Sequence, residues 1–112
     1  MHRTVLRLLL PSSLLGLALL ANPVGAYALD GKRQSELTYL VRQDWGSCHG
    51  MTLKGGLGGP LLPGSLADLD SASVASIILR GVSGKPMPPW QGQLSEEEAL
   101  WIAEKLKTGF PQ

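Results

Sequence analysis

The sequence predicts an all-α domain of three to five short helices joined by long ordered loops. Apolar residues recur at helical spacing in three segments, and glycine and proline break the chain between those segments. No segment alternates polar and apolar residues over the length that a strand requires. A chain of 112 residues has room for one such domain.

The N-terminal segment predicts a secretory signal peptide over residues 1–28. Two arginines precede an apolar stretch, and Ala26 and Ala28 supply the small side chains that signal peptidase requires. The same stretch could serve as an uncleaved membrane anchor, but two prolines interrupt it. We therefore expect cleavage after Ala28, which releases the domain of residues 29–112 into the periplasm without a membrane attachment.

The charge and the cysteine content of the exported domain limit its possible partners and its means of stabilisation. Cleavage would remove two of the ten basic residues and leave all nine acids, and this near-neutral balance predicts no nucleic-acid partner. We expect the exported domain to be a monomer. Its single cysteine, Cys48, cannot form an internal disulfide. Because so short a domain buries only a small core, we expect a non-protein component to complete it.

The first helix is predicted over Lys32–Asp44. Leu37, Leu40 and Val41 fall at positions i, i+3 and i+4, which places them on one helix face. We expect this helix to end before Trp45, because Gly46 follows Trp45 directly.

Two further helices carry recognisable termini. Asp70 can cap a helix over Ser71–Arg80 that Gly81 ends, and a short turn is expected around residues 65–69 just before it. In the last segment Ser95 and Glu98 form a capping box. The apolar face of that last helix consists of Ala99, Ile102, Ala103 and Leu106.

The segments between the helices are too rich in glycine and proline for regular structure. Residues 50–64 contain six glycines and two prolines and form a predicted wrapping loop. Residues 82–93 form a second loop, whose conformation is restricted by the prolines of Lys85-Pro86-Met87-Pro88-Pro89-Trp90.

Cys48 and His49 follow the first predicted helix in the order that covalent haem attachment uses. The attachment signature is C-x-x-C-H, in which two thiols bond the porphyrin and the histidine binds the iron. Here the stretch reads Trp45-Gly46-Ser47-Cys48-His49, so Trp45 stands where the first thiol belongs. A bare Cys-His pair is more often part of an ordinary core, so this motif needs further support.

The two loops supply that support. Met87 lies 38 residues after His49, between two prolines, where a thioether could bind iron on the far side of a porphyrin. A methionine is more often a core filler, but such methionines seldom lie between prolines in an irregular segment. In the glycine-rich loop that contains Pro60, a backbone carbonyl can accept the second ring N–H of His49 and fix its tautomer.

Over nearly all residues after the signal peptide, the chain resembles a class I cytochrome c. It is similar in particular to the small periplasmic cytochromes of the NirC type, which are encoded beside dissimilatory nitrite reductase. The stretches that carry the resemblance are Leu40-Val41-Arg42-Gln43-Asp44, Gly46-Ser47-Cys48-His49-Gly50, Leu53-Lys54-Gly55-Gly56-Leu57-Gly58 and Pro86-Met87-Pro88-Pro89-Trp90.

The resemblance implies a class I cytochrome c fold wrapped around one haem c. By position it assigns Cys48 as the covalent thioether, His49 as the proximal ligand and Met87 as the distal ligand, with Pro60 in the haem-pocket loop. The family has cysteine where this chain has Trp45. A single thioether is therefore expected in place of two.

An imidazole and a thioether on the iron would leave no open coordination position, which favours electron transfer over catalysis. The thioether also favours Fe(II) and raises the reduction potential relative to two imidazoles. The resemblance implies two roles for such a carrier in denitrification: electron delivery to nitrite reductase, or a part in the maturation of that enzyme's haem. It leaves the upstream electron donor open.

Two alternative functions belong to other classes of protein. The chain could lack haem and bind copper, or nothing, through Cys48, His49 and Met87, although the second histidine of a copper site is missing once His2 is removed. A peroxidase would require an open iron position and distal acid–base groups that the sequence does not supply. Lys54 and Lys85 lie in the two loops, one in each, and could steer an acidic partner, or serve only solubility.

Overall fold

The computed structural model describes Gly16 and residues 29–111, so the predicted signal peptide, Gly16 apart, and its cleavage lie outside the described residues. The regular elements of this part are helix α1 (Gly31–Leu40), a π-helical turn (Val41–Trp45), helix α2 (Gly46–His49), a 3-10 turn (Pro63–Leu66), helix α3 (Ser71–Arg80) and helix α4 (Glu96–Thr108). None of these helices is long and apolar enough to span a membrane.

The predicted end of the first helix before Trp45 is wrong, because the chain stays helical as far as His49. Gly46 has helical angles, φ −58° and ψ −31°, and its N–H donates to the carbonyl of Val41, five residues back. A Cβ on Gly46 would lie 3.0 Å from Met51 Sδ, so this glycine provides room for tertiary packing inside the helix. The helix ends instead at Gly50, which has a φ of +88°.

The other helix termini confirm the predictions from local sequence. Asp70 Oδ1 accepts a hydrogen bond of 2.6 Å from the Ser73 N–H at the start of α3. Helix α3 ends at Gly81, whose φ is +71°. At the start of α4, Ser95 and Glu98 form both hydrogen bonds of a capping box, each 3.1 Å long.

The expected turn before α3 is a 3-10 turn that begins two residues early, at Pro63, where the fixed φ of proline suits a helix start. Lys107 Nζ, from α4, donates to the carbonyl oxygens of Leu66 and Leu69. These bonds attach the 3-10 turn and the residues after it to the last helix.

The core lies where α1, α3 and α4 pack together. All four residues predicted for the apolar face of α4 are buried, with exposures of 0–1 %. The core residues are Leu37, Val41, Trp45, Leu53, Val74, Ala75, Ile78, Leu94, Ala99, Ile102, Ala103, Leu106 and Phe110. Among the described residues the β structure is limited to one isolated bridge between Val82 and Met87, so the all-α prediction is confirmed.

Candidate haem site

A cavity of about 350 Å³ lies between two parts of the chain that the core holds together. One part is the end of the first helical run with the tip of the first loop, and the other is the second loop. The lining residues are Asp44, Trp45, Cys48, His49, Leu57, Gly58, Gly59, Val82, Lys85, Pro86, Met87, Pro88 and Trp90. The structure therefore brings Trp45, Cys48, His49 and Met87 to one cavity.

His49 is the last residue of α2, and its ring is held in one tautomer. Nδ1 lies 2.7 Å from the carbonyl oxygen of Gly59, and a carbonyl can only accept, so Nδ1 carries the hydrogen and donates it. The other ring nitrogen, Nε2, is then left with its lone pair for a metal. Pro60, the residue after this carbonyl, is exposed and does not line the cavity.

The first loop lies against His49 more closely than any side chain would allow. A Cβ on Gly58 would lie 2.6 Å from Cε1 of the His49 ring, so only glycine fits here without movement. The loop also closes the helix, because the Gly58 N–H donates to the Cys48 carbonyl at 2.7 Å and the Gly55 N–H to the His49 carbonyl at 2.8 Å. The glycine-rich sequence of this loop predicted a backbone acceptor for His49, but it did not identify the carbonyl of Gly59 as that acceptor.

Met87 is partly buried in the second loop, between Pro86 and Pro88. Its carbonyl accepts a hydrogen bond of 3.3 Å from the Val82 N–H, which closes residues 82–87 into a turn. A Cβ on Gly81 would lie 2.6 Å from the Met87 carbonyl oxygen, so the glycine that ends α3 also lets this loop return along the helix end.

Trp45 is buried, with 4 % exposure, and it contacts the second loop directly. Its ring centroid is 5.6 Å from that of Trp90, at an interplanar angle of 55°. Trp45 Nε1 is buried and has no hydrogen-bond partner among the described residues. Cys48 is an exposed free thiol at the edge of the same cavity. The Trp45–Trp90 contact was not predicted from the sequence.

The charged side chains in the lining are Asp44 and Lys85, whereas Lys54 is exposed outside it. The remaining lining is largely apolar and supplies one imidazole, one thioether and one thiol. This donor set fits a haem with one covalent link. The described residues contain no cluster of three or more His, Cys, Asp or Glu side chains. The copper alternative would use the same Cys48, His49 and Met87, with no second histidine among the described residues.

Comparison with known proteins assigns the family. The family profile described as cytochrome c oxidase, cbb3-type, subunit III matches residues 33–104. Cytochrome c55X of Paracoccus denitrificans is 47% identical over 90 residues, which cover 80% of this chain and 87% of that protein.

Two solved structures are also similar. A c-type cytochrome NirC aligns with a TM-score of 0.70 and 43% identity, over 72% of this chain and 95% of the other. The dihydro-heme d1 dehydrogenase NirN in complex with DHE aligns with a TM-score of 0.60 and 35% identity, over 66% of this chain and 16% of the other. The chain therefore belongs to the class I c-type cytochromes of the cytochrome c55X and NirC group, and it is an electron carrier, not an enzyme.

Proposed function

We propose that the protein is a periplasmic cytochrome with one haem that carries single electrons in denitrification. The observation that supports this best is the cavity that His49 and Met87 share, with the Nδ1–H of His49 committed to Gly59. The nearly full overlap with NirC supports a small carrier domain, because the alignment covers 95% of that chain.

In this proposal each donor has one task. His49 binds the iron through Nε2, and its hydrogen bond to Gly59 fixes the ring and increases its basicity. Met87 binds through its sulfur, which favours the ferrous state. When bound, the haem supplies the Fe(III)/Fe(II) couple. The prolines beside Met87 restrict the loop and so limit the motion of this ligand between oxidation states.

The ligand assignment predicts the effect of Met87→Ala. The variant should retain haem through His49 but admit water or small ligands at the vacated position, and its reduction potential should fall because the soft thioether is lost. A redox titration, with the Fe(III)–sulfur charge-transfer band recorded in parallel, measures both effects. Met51→Ala is the matched control, since Met51 is exposed and does not line the cavity. An unchanged potential and band would remove Met87 from the site.

We also propose that the haem is attached through Cys48 alone, because Trp45 offers no second thiol. Each thioether saturates a vinyl group, shortens the conjugation of the porphyrin and moves its visible bands to shorter wavelength. In alkaline pyridine, which displaces the protein ligands, the wild type should absorb between protohaem and doubly linked haem c. Trp45→Cys should move the band to the haem c position, and Cys48→Ala should move it to that of protohaem. Haem that dissociates freely from the wild type under denaturing conditions would contradict single attachment.

The direction of electron flow has two candidates. The alignment with dihydro-heme d1 dehydrogenase supports a role in the maturation of the nitrite reductase haem, whereas the carrier proposal itself also suits delivery to the reductase. Stopped-flow mixing separates them. Rapid oxidation of the reduced protein by nitrite reductase indicates delivery, and rapid reduction of the oxidised protein by the dehydrogenase with its substrate indicates maturation. Failure of both reactions, with haem bound, would contradict the assignment to this pathway.

A further inference from the structure

Trp45 connects the two chain segments that carry the proposed iron ligands. It is the last residue of the π-helical turn, four residues before His49, and it is buried in the core. In a π-helical turn the hydrogen bond skips one residue more than in an α-helix, and such turns recur at functional sites. Here that bond runs from the Gly46 N–H to the Val41 carbonyl, and both Val41 and Trp45 are buried.

Trp90, which Trp45 contacts, is itself anchored to the rest of the fold. Its N–H donates to the Ile78 carbonyl near the end of α3 at 3.1 Å, and its carbonyl accepts from the Leu94 N–H at 2.8 Å. Only Pro88 and Pro89 separate it from Met87, and both have restricted φ angles. A displacement of Trp90 would therefore also displace Met87.

The contact acts through packing and not through a hydrogen bond, because Nε1 of Trp45 is buried and donates to no group among the described residues. A phenylalanine would keep an aromatic ring at this position without the indole N–H, so Trp45→Phe tests whether the ring contact alone is sufficient.

We propose that Trp45 is a positioning residue for Met87, whose contact with Trp90 fixes the second loop relative to the helix that carries His49. The inference rests on the proposed iron ligation for its functional meaning. The contact joins two protein segments, so it orders the loop whether or not haem is bound. At a position where the family carries a haem-linking cysteine, this chain thus has a side chain that links the ligand segments directly.

The test compares Trp45→Ala and Trp45→Phe with Trp101→Ala. Trp101 is a partly buried tryptophan of α4 that packs against the core and lies under Lys105, outside the cavity lining. It therefore serves as the control for general loss of stability. In the ferric holoprotein, imidazole competes with Met87 for iron. Trp45→Ala should bind imidazole about tenfold more tightly than the wild type, because a looser loop releases the thioether more often.

Amide hydrogen exchange of the full-length protein, as purified, provides a second readout that does not depend on haem. The Val82 and Trp90 amides should exchange about tenfold faster in Trp45→Ala, relative to the Ile102 amide in α4. Trp45→Phe should stay near the wild type in both measurements. Trp101→Ala should lower the melting temperature without changing either ratio.

Equal imidazole affinity and equal exchange ratios in Trp45→Ala and Trp101→Ala would overturn the inference. A protein that purifies folded but without haem would overturn the proposed function, and the exchange ratios would still decide whether Trp45 positions the loop. Bound haem together with unchanged ratios would overturn the positioning role alone.

Discussion

The helical frame of α1, α3 and α4 and the two loops around the cavity are held in place by different interactions. In the frame, apolar side chains are removed from solvent, as Leu37 and Ile102 show with exposures of 0 %. In the loops, Leu53 joins the core, but Met87 and Trp90 are only partly buried. Burial of apolar area is thus the main stabilising contribution in the frame but not in the loops.

The loops depend on backbone hydrogen bonds and on close approaches at glycine. Amides of Gly55 and Gly58 close the end of α2, and the Trp90 amide attaches the second loop to α3. Such contacts fix geometry more than they add stability, since a typical hydrogen bond contributes about 1 kcal/mol net. Substitutions in the frame should therefore change stability, whereas those in the loops should change ligand geometry.

The largest effect on stability is expected for Ile102→Ala in α4. Ile102 is fully buried, and its truncation should lower the free energy of unfolding by about 2–5 kcal/mol through lost burial and a residual cavity. Lys54→Ala, at an exposed site in the first loop outside the cavity lining, should change it by less than about 0.5 kcal/mol. Urea denaturation measures both values. Similar losses in the two variants would erase the distinction between frame and loops.

A smaller effect on stability, but a specific effect on the site, is expected for Gly58→Ala. The added Cβ would overlap the His49 ring, so the loop must move away at a cost of about 1–3 kcal/mol. The hydrogen bond from His49 Nδ1 to Gly59 should lengthen, and the NMR signal of that ring proton should broaden or disappear.

Gly59→Ala is the matched control for this change, because no atom lies within 4 Å of a Cβ built on Gly59. It should leave both the ring-proton signal and the free energy of unfolding near the wild-type values. A retained ring-proton signal in Gly58→Ala would show that the loop position does not control the imidazole.

Much of the frame was predictable because its signals are local. Asp70, Gly81 and the capping box of Ser95 and Glu98 each act within a few residues of a helix end, and each prediction is confirmed. The end of the first helix was not predictable in this way. Gly46 has the sequence context of a helix stop, but its role depends on Met51, which approaches only in the folded chain.

The candidate site also combines features that the local sequence predicts with features that depend on the folded chain. The roles of Cys48, His49 and Met87 follow from motif and loop chemistry and stay predictions, although the structure places all three at one cavity. The Trp45–Trp90 contact joins residues far apart in the chain, so no local sequence pattern predicts it. Likewise, the sequence of the first loop indicated an acceptor for His49 without selecting the carbonyl of Gly59.

The smallest effect concerns an ion pair that joins α1 to the start of α4. Arg33 Nε donates to Glu98 Oε1 at 2.6 Å, while Glu98 Oε2 accepts from the Ser95 N–H. The bond from Arg33, followed by the Ser95 N–H, lowers the pKa of Glu98 below its ordinary value of 4.5. Because the folded state favours the carboxylate, this stabilisation is complete above about pH 5 and is lost as the pH falls through the folded-state pKa of Glu98.

Glu98→Gln should therefore lower the free energy of unfolding by about 1 kcal/mol near neutral pH, a modest value because the Arg33 side chain is partly exposed. The difference from the wild type should shrink at an acid pH below the folded-state pKa of Glu98, where the carboxylate is protonated. Glu97→Gln, an exposed neighbour in the same helical turn, is the control and should show little effect. Urea denaturation at both pH values gives the comparison, and exchange of the Val82 amide should keep its wild-type ratio to that of Ile102. A loss of equal size at both pH values would mean that the Glu98 side chain contributes by packing and not by charge.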